Sequence, residues 1–319
     1  MTNHWIIAPV VIPALTASVL LLFARTDHTK QRHLRTLSTL AMLIVAVILV
    51  RQATGGGPQP YLVGAWPAPF GIILVLDRLS AFMVLLTAIV GTLSVLYAIQ
   101  GWDAQGSNYH ALFQFQLMGL MGAFLTGDLF NLFVFFEVML IASYGLMLHG
   151  GGAKRLRAGF QYVAINLIAS SLFLVAVGLI YGIAGTLNFA DLAVKARHVA
   201  QADQALLQTG ALLLLLVFAI KAAFVPLHWW LPATYAAASA PVAALFAIMT
   251  KVGAYAIIRV FGTVLGDGGE GLGAVAAPWV VPAALVTIAV GTAGLLGSRR
   301  LLDLAAFNTI ASMGVLLIA

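Results

Sequence analysis

The chain contains no cysteine in its 319 residues. That absence removes disulfide bridges, thiol catalysis and cysteine-ligated iron–sulfur clusters from consideration. Charge is also scarce: charged residues make up 8% of the sequence, ten acidic side chains against sixteen basic ones. Only two of the acids are glutamates, Glu137 and Glu270. The histidines are too scattered to form a metal site. No glycine-rich loop joins a strand to a helix, and no serine–histidine–acid arrangement is present. The sequence therefore points away from an enzyme, and no cofactor is expected.

Apolar material is what the chain has in excess. Hydrophobic residues make up 62% of it, and the mean hydropathy is +1.04. The apolar runs are continuous for roughly 17–28 residues, enough for a helix to cross a hydrocarbon core about 30 Å thick. The short-period alternation of a membrane barrel is missing. The expectation is an all-α polytopic membrane protein with about ten transmembrane helices. They are read at about 5–24, 34–50, 70–99, 109–126, 128–148, 159–183, 206–226, 239–264, 276–297 and 303–319. The third is long enough to tilt or to run beyond the bilayer. Only the Gly127–Asp128 turn joins the fourth to the fifth, which makes them antiparallel neighbours. The opening MTNHWIIAPVV lacks the cationic stretch of a signal peptide and is read as the start of the first span.

The net charge of +6 does not imply a nucleic-acid partner, because the basic residues fall in short loops between apolar runs. Odd-numbered loops hold Arg25, Lys30, Arg32 and Arg35, then Lys154, Arg155 and Arg157, then Arg299 and Arg300. Even-numbered loops hold Arg51, then Lys195 and Arg197. The positive-inside rule places the odd loops in the cytoplasm and the N-terminus outside.

Against this background, Glu137 stands alone near the centre of GDLFNLFVFFEVMLIASYGLML. A helix starting at Asp128 reaches it after about 14 Å, half the hydrocarbon thickness. Lys221, in ALLLLLVFAIKAAFVP, and Lys251, in PVAALFAIMTKVGAYAIIRVF, are placed as improbably. A charge at that depth costs roughly 2.5–3.5 kcal/mol on insertion scales, so such groups usually face a partner or a water-filled path. One buried acid with two buried bases suggests charge movement across a membrane. Tyr255 and Arg259 follow Lys251 at four-residue spacing and share its helical face. Pro226, Pro232 and Pro241 predict interrupted helices near 220–241, with the carbonyls of Ala222, His228 and Ala237 freed to hold water. His228, beside two tryptophans, is either a proton carrier or an interfacial residue. Asp128 is expected to cap the fifth helix, and Asp77 to cap the third span or pair with Arg78. Gly291, Gly294 and Gly297 read as helix packing.

These segments, from Gly127 to Val260, carry a resemblance. GDLFNLFVFFE, GTLNFADL, KAAFVPLHWWLP and APVAALFAIMTKVGAYAIIR resemble the antiporter-like subunits shared by respiratory complex I, membrane hydrogenases and the Mrp/Pha multisubunit cation/proton antiporters. The stretch around Glu137 is most similar to the D-type subunits of the Mrp/Pha branch. Tyr235 and Ser312 stand where many relatives have histidine, which puts a histidine-to-histidine proton wire in doubt. The resemblance implies the first ten helices of a fourteen-helix fold, with N-terminal helices over 1–110 and an antiporter-like, proton-translocating core over 111–319. It also implies a further charged residue on a twelfth helix, which is not among these positions. The apolar ending GVLLIA is accordingly read as a truncation or a short family member.

By resemblance, Glu137, Lys221 and Lys251 are the proton-translocating residues. Glu137 and Lys221 would form an ion pair, and its opening would release a proton toward Lys251 through waters near His228. Asp128, Pro226, Tyr255 and Arg259 would support them. The function implied is that of a multi-pass subunit in a prokaryotic cell membrane, using protons to drive Na⁺ or K⁺ efflux alongside partner subunits. Two alternatives stand beside it: a proton-pumping subunit of a quinone-reducing or hydrogenase complex, and a non-transporting scaffold fragment.

Overall fold

The computed structural model describes residues 3–22, 28–106, 108–266 and 272–318. Arg25 of the first basic loop, Glu270 and the final residue lie outside them. The described chain is almost wholly helical and divides into two compact units, Met1–Leu156 with Ala238–Ile248, and Arg157–Ala237 with Met249–Ala319.

In the first unit, α1 (Ala8–Leu22) and α2 (His28–Thr54) lead into a two-stranded antiparallel hairpin. Its strands are β1 (Gln59–Leu62) and β2 (Ile73–Leu76), and helices α3 (Arg78–Ala98), α4 (Tyr109–Leu125) and α5 (Leu129–Leu148) follow. The hairpin corrects the expected third span, because the apolar run Ile73–Leu76 is strand and the helix begins only after Asp77. A short β-branched run cannot be told from a helix start by periodicity. Asp77 supplies the boundary through a capping box. Its Oδ1 accepts from Ser80 N at 2.8 Å, and Ser80 Oγ accepts from Asp77 N at 2.8 Å.

The β2 strand also fixes the turn that starts α5. Gly127 N donates to Ile73 O at 2.8 Å, and a Cβ on Gly127 would lie 2.8 Å from Val75 Cγ2. α4 and α5 then run back antiparallel with glycines set against bulky neighbours. Gly119 faces Met139, Gly122 the Phe135 ring, and Gly145 Leu112.

In the second unit, the bulk of α6 (Ala153–Ala184) is followed by α7 (Phe189–Lys195), α8 (Gln201–Lys221) and α9 (Trp230–Ala237). The later part of α10 (Ala240–Ile257) continues as a π-helical segment, Ile258–Val264, before α11 (Ala277–Gly297) and α12 (Leu301–Ile318). The close α11–α12 packing uses Gly291 against Ala311 and Gly294 against Phe307, as expected; Gly297 has open space around it.

Eight of the ten expected spans are helices long and apolar enough to cross a membrane. The first and fourth, at 15 residues in α1 and 17 in α4, fall below that length. The count of ten is thus not reached by this measure among the described residues. The first basic cluster is not a loop either: Lys30, Arg32 and Arg35 lie on α2.

Candidate functional site

In the first unit, Asp128 caps α5 as expected, accepting from Asn131 N at 2.8 Å, while Asn131 Nδ2 donates to Thr126 Oγ1 at 2.9 Å. This places Glu137 midway along α5, half-buried. Tyr144, two turns further, lies close enough to feel its charge.

In the second unit, the chain is interrupted directly after Lys221. Phe224 N donates to Ala219 O at 3.0 Å and Ala223 N to Ile220 O at 3.1 Å, with Ala223 at φ 56°. That bond pair is a Schellman stop, whose left-handed position glycine usually fills. Lys221 is therefore the last helical residue of α8, and it is only 5% exposed. Its Nζ lies 3.1 Å from Asn166 Oδ1, 3.4 Å from Ser170 Oγ and 3.5 Å from Asn166 O, all on α6.

The break is braced from two further elements. Trp230 Nε1, at the start of α9, donates to Ile220 O at 3.1 Å. The α10 backbone closes in at Gly253, where a Cβ would lie 2.6 Å from Ala222 N and 2.9 Å from the Lys221 carbonyl carbon.

Of the three prolines, only Pro226 lies in the non-helical stretch. Pro232 and Pro241 occupy the first turns of α9 and α10, where a helix has no acceptor for their missing N–H groups. The His228 carbonyl is not left free, because it accepts from Leu231 N at 2.9 Å. The His228 ring faces the Pro226 carbonyl. No contact among the described residues joins His228 to Lys221 or Lys251.

Lys251, half-buried on α10, donates from Nζ to Ser312 Oγ at 2.8 Å, and Ser312 donates to Thr309 O at 2.7 Å. Tyr235 hydrogen-bonds with Thr250, the residue before Lys251. Tyr235 and Ser312 thus both bear on the neighbourhood of this lysine. The expected stripe is present: Tyr255 OH accepts from Arg259 Nη2 at 2.8 Å and from Nε at 3.1 Å. Arg259 lies in the π-helical segment, an irregularity frequent at functional sites.

Two groups escaped sequence reasoning. Asn166 and Ser170 left a readable trace, as polar residues four apart in an apolar run. The other group is a cluster in the first unit around the fully buried Asp103, in the α3–α4 connection. Arg32 grips both carboxylate oxygens at 2.7 Å, Arg35 lies at 3.6 Å and His110 at 3.9 Å. Burial alone would raise the Asp103 carboxyl. The Arg32 hydrogen bond and the charges of Arg35, Arg32 and His110 outweigh it and hold the group below the usual carboxylate range. The cluster continues inward: Gln114 Nε2 donates to Arg35 O, Ser38 donates to Gln114 Oε1 at 3.3 Å, and Thr16 donates to Ser38 at 3.0 Å. Among the described residues, no group of side chains has the makings of a metal site.

The family model "NADH:quinone oxidoreductase/Mrp antiporter, TM" matches residues 126–319, which hold Glu137 and both lysines. The D-type subunit of a probable K⁺/H⁺ antiporter of Rhizobium meliloti is 47% identical over 99% of this chain and 60% of its own length. A chain of the Mrp complex from Dietzia is 31% identical with a TM-score of 0.87, over 99% of this chain and 59% of that one. A chain of the archaeal membrane-bound sulfane sulfur reductase is 27% identical with a TM-score of 0.92, over 99% and 64%. The chain spans about 60% of the length of the Rhizobium relative.

Proposed function

The chain belongs to the NADH:quinone oxidoreductase/Mrp antiporter transmembrane family, and on that premise we propose that it is the D-type subunit of a multisubunit Na⁺ or K⁺/proton antiporter. Protons pass by way of Glu137, Lys221 and Lys251, and their movement drives cation efflux in concert with partner subunits. The observation that carries this reading is Lys221, buried at a helix break with side-chain oxygens of α6 beside its amine. A lysine so placed is costly as a charge, and its proton affinity depends on which acceptor it faces. When Glu137 faces it, the ammonium is favoured; when Glu137 is neutral or turned away, the proton can leave toward Lys251. His228, Tyr255 and Arg259 assist as polar neighbours of that route. The core that carries it extends over 111–319, preceded by N-terminal helices over 1–110. The setting is a prokaryotic cell membrane, with the basic loops in the cytoplasm and the N-terminus outside.

The test is cation-induced collapse of a pH gradient in everted vesicles, with this chain co-expressed with its partner subunits in an antiporter-deficient strain. Wild type is expected to respond to Na⁺ or K⁺, and Glu137→Ala to lose the response while assembling normally. Antiport by an assembled Glu137→Ala complex at the wild-type rate would exclude the mechanism and favour a scaffold. The similarity to the sulfane sulfur reductase chain supports a second reading, a proton pump driven by a redox partner. Assembled wild type with no cation response would point there.

A further inference from the structure

The exit of α5 is fixed by side chains from elsewhere in the first unit. Three glycines follow it, Gly150, Gly151 and Gly152, all with positive φ (81°, 65° and 98°), and such backbone has little preference of its own. His149, directly before them, is the anchor. It is buried, and its Nε2 lies 2.8 Å from the carbonyl oxygen of Trp102 in the α3–α4 connection. A carbonyl only accepts, so Nε2 carries the hydrogen and Nδ1 is the basic nitrogen of the neutral ring. The connection passes directly over that nitrogen: a Cβ on Gly106 would lie 2.9 Å from Nδ1. Arg155, in the first turn of α6, donates to the His149 carbonyl and holds its guanidinium 5.9 Å from the centroid of the Trp102 ring. The Tyr109 ring of α4 lies 4.7 Å from the imidazole.

A second proton on this ring would meet charged and titratable groups from several elements. Arg155 opposes it. Asp103, in the connection, favours it, but Arg32 already holds both carboxylate oxygens, and Arg35 of α2 and His110 of α4 stand around the same carboxylate. Tyr109 stays neutral at ordinary pH. Burial weighs most and Arg155 adds to it; together they outweigh the Trp102 hydrogen bond and the Asp103 charge, so the ring takes its second proton below the usual histidine range. We propose that His149 is a pH-sensitive clasp: its neutral ring ties the exit of α5 to the α3–α4 connection, and protonation from the side of the membrane that this connection meets releases the tie. An imidazolium buried beside Arg155 has to turn toward water to be solvated, which leaves the three glycines without their anchor and frees one end of the helix that carries Glu137. The sign follows from the lowered folded value: the stability that the neutral ring contributes is complete above about pH 6.5 and is lost as the pH falls toward that value. The clasp operates whether or not protons pass by way of Glu137, because all its contacts lie within the first unit.

Backbone hydrogen exchange of the purified, assembled complex reads the clasp without any substitution. After correction for the pH dependence of chemical exchange, residues 149–152 are expected to open at least about threefold more readily at about pH 5.5 than at about pH 7.5. His149→Gln keeps an N–H donor for the Trp102 carbonyl but does not titrate, and its protection is expected to stay the same at both pH values. Unchanged protection in the wild type overturns the proposal. So does the same acid opening in His149→Gln, which would assign the effect to Asp103, His110 or another group. Arg155→Gln supplies a second check. Taking away the opposing cation is expected to move the opening to higher pH, and a transition that stays in place or moves lower sinks the clasp.

Discussion

A buried charge is tolerated only where its neighbours replace water. Asn166 and Ser170 on α6 bring oxygens to within hydrogen-bond distance of Lys221. Asp103 is met by arginines, which stay protonated, so its charge is locked. Removing one member of such a pair leaves the other uncompensated. Asp103→Leu, which strips Arg35 of its carboxylate, is expected to destabilise the purified complex by about 3–5 kcal/mol, whereas Asp103→Leu with Arg35→Met recovers most of the loss. Thermal unfolding in detergent measures both; equal destabilisation by the single and double variants would show that the ion pair is not the cause. The pH dependence has a definite sign. Because the folded Asp103 carboxyl lies below its unfolded value, the stability it contributes is complete above about pH 4. It is lost only as the pH falls through that lowered folded value. Glu137, Lys221 and Lys251 stand out in the sequence because a single charge in an apolar run is costly. Asp103, in GWDAQG, does not, since nothing local distinguishes it from a loop acid. Its partners lie 71 and 68 positions earlier in the chain.

At the scale of an element, the decisive feature is how α8 stops. Prolines in the sequence announced an interruption, but they do not make it: Pro226 follows the stop, and the other two begin new helices. The stop is backbone geometry at Ala223, and glycine, its usual sign, is missing. A left-handed alanine costs roughly 1–2 kcal/mol against about 0.5–1 kcal/mol of extra chain entropy for glycine. Ala223→Gly is therefore expected to stabilise the complex slightly, by at most about 1 kcal/mol, and a clear loss in thermal unfolding would contradict this account of the stop. Gly253 predicts the opposite direction. A methyl there would press on the backbone of Ala222 and Lys221, and relieving such overpacking costs about 1–3 kcal/mol. Gly253→Ala should lower antiport by displacing the break that positions Lys221; unchanged activity would show that α10 can move aside freely. The hairpin before α3 was illegible for the reason that hides most short strands, an apolar run with no period of its own. Asp77 was legible because a capping acid acts on its own neighbours.

For the whole molecule, the direction of the proposed proton route turns on which face of the membrane each end of the helices meets. The structure modifies the charge argument without reversing it. Arg32 and Arg35 are spent on Asp103 inside the first unit and so weigh less as free loop charges, but Lys154 and Arg157 remain in or beside the connection after α5. Arg299 remains between α11 and α12, beside Arg300, which is paired with Asp303. These still favour a cytoplasmic location for that set of connections. The cysteine-free sequence allows a direct test, because any thiol introduced is the only one in the chain. Gly56 follows α2 with open space around it, and Lys154 is exposed at the start of α6. In intact cells a membrane-impermeant maleimide is expected to label Gly56→Cys directly, and Lys154→Cys only after permeabilisation. The reverse pattern would invert the topology. The proposed proton route through Glu137 and Lys221 would then have to be drawn from the opposite face.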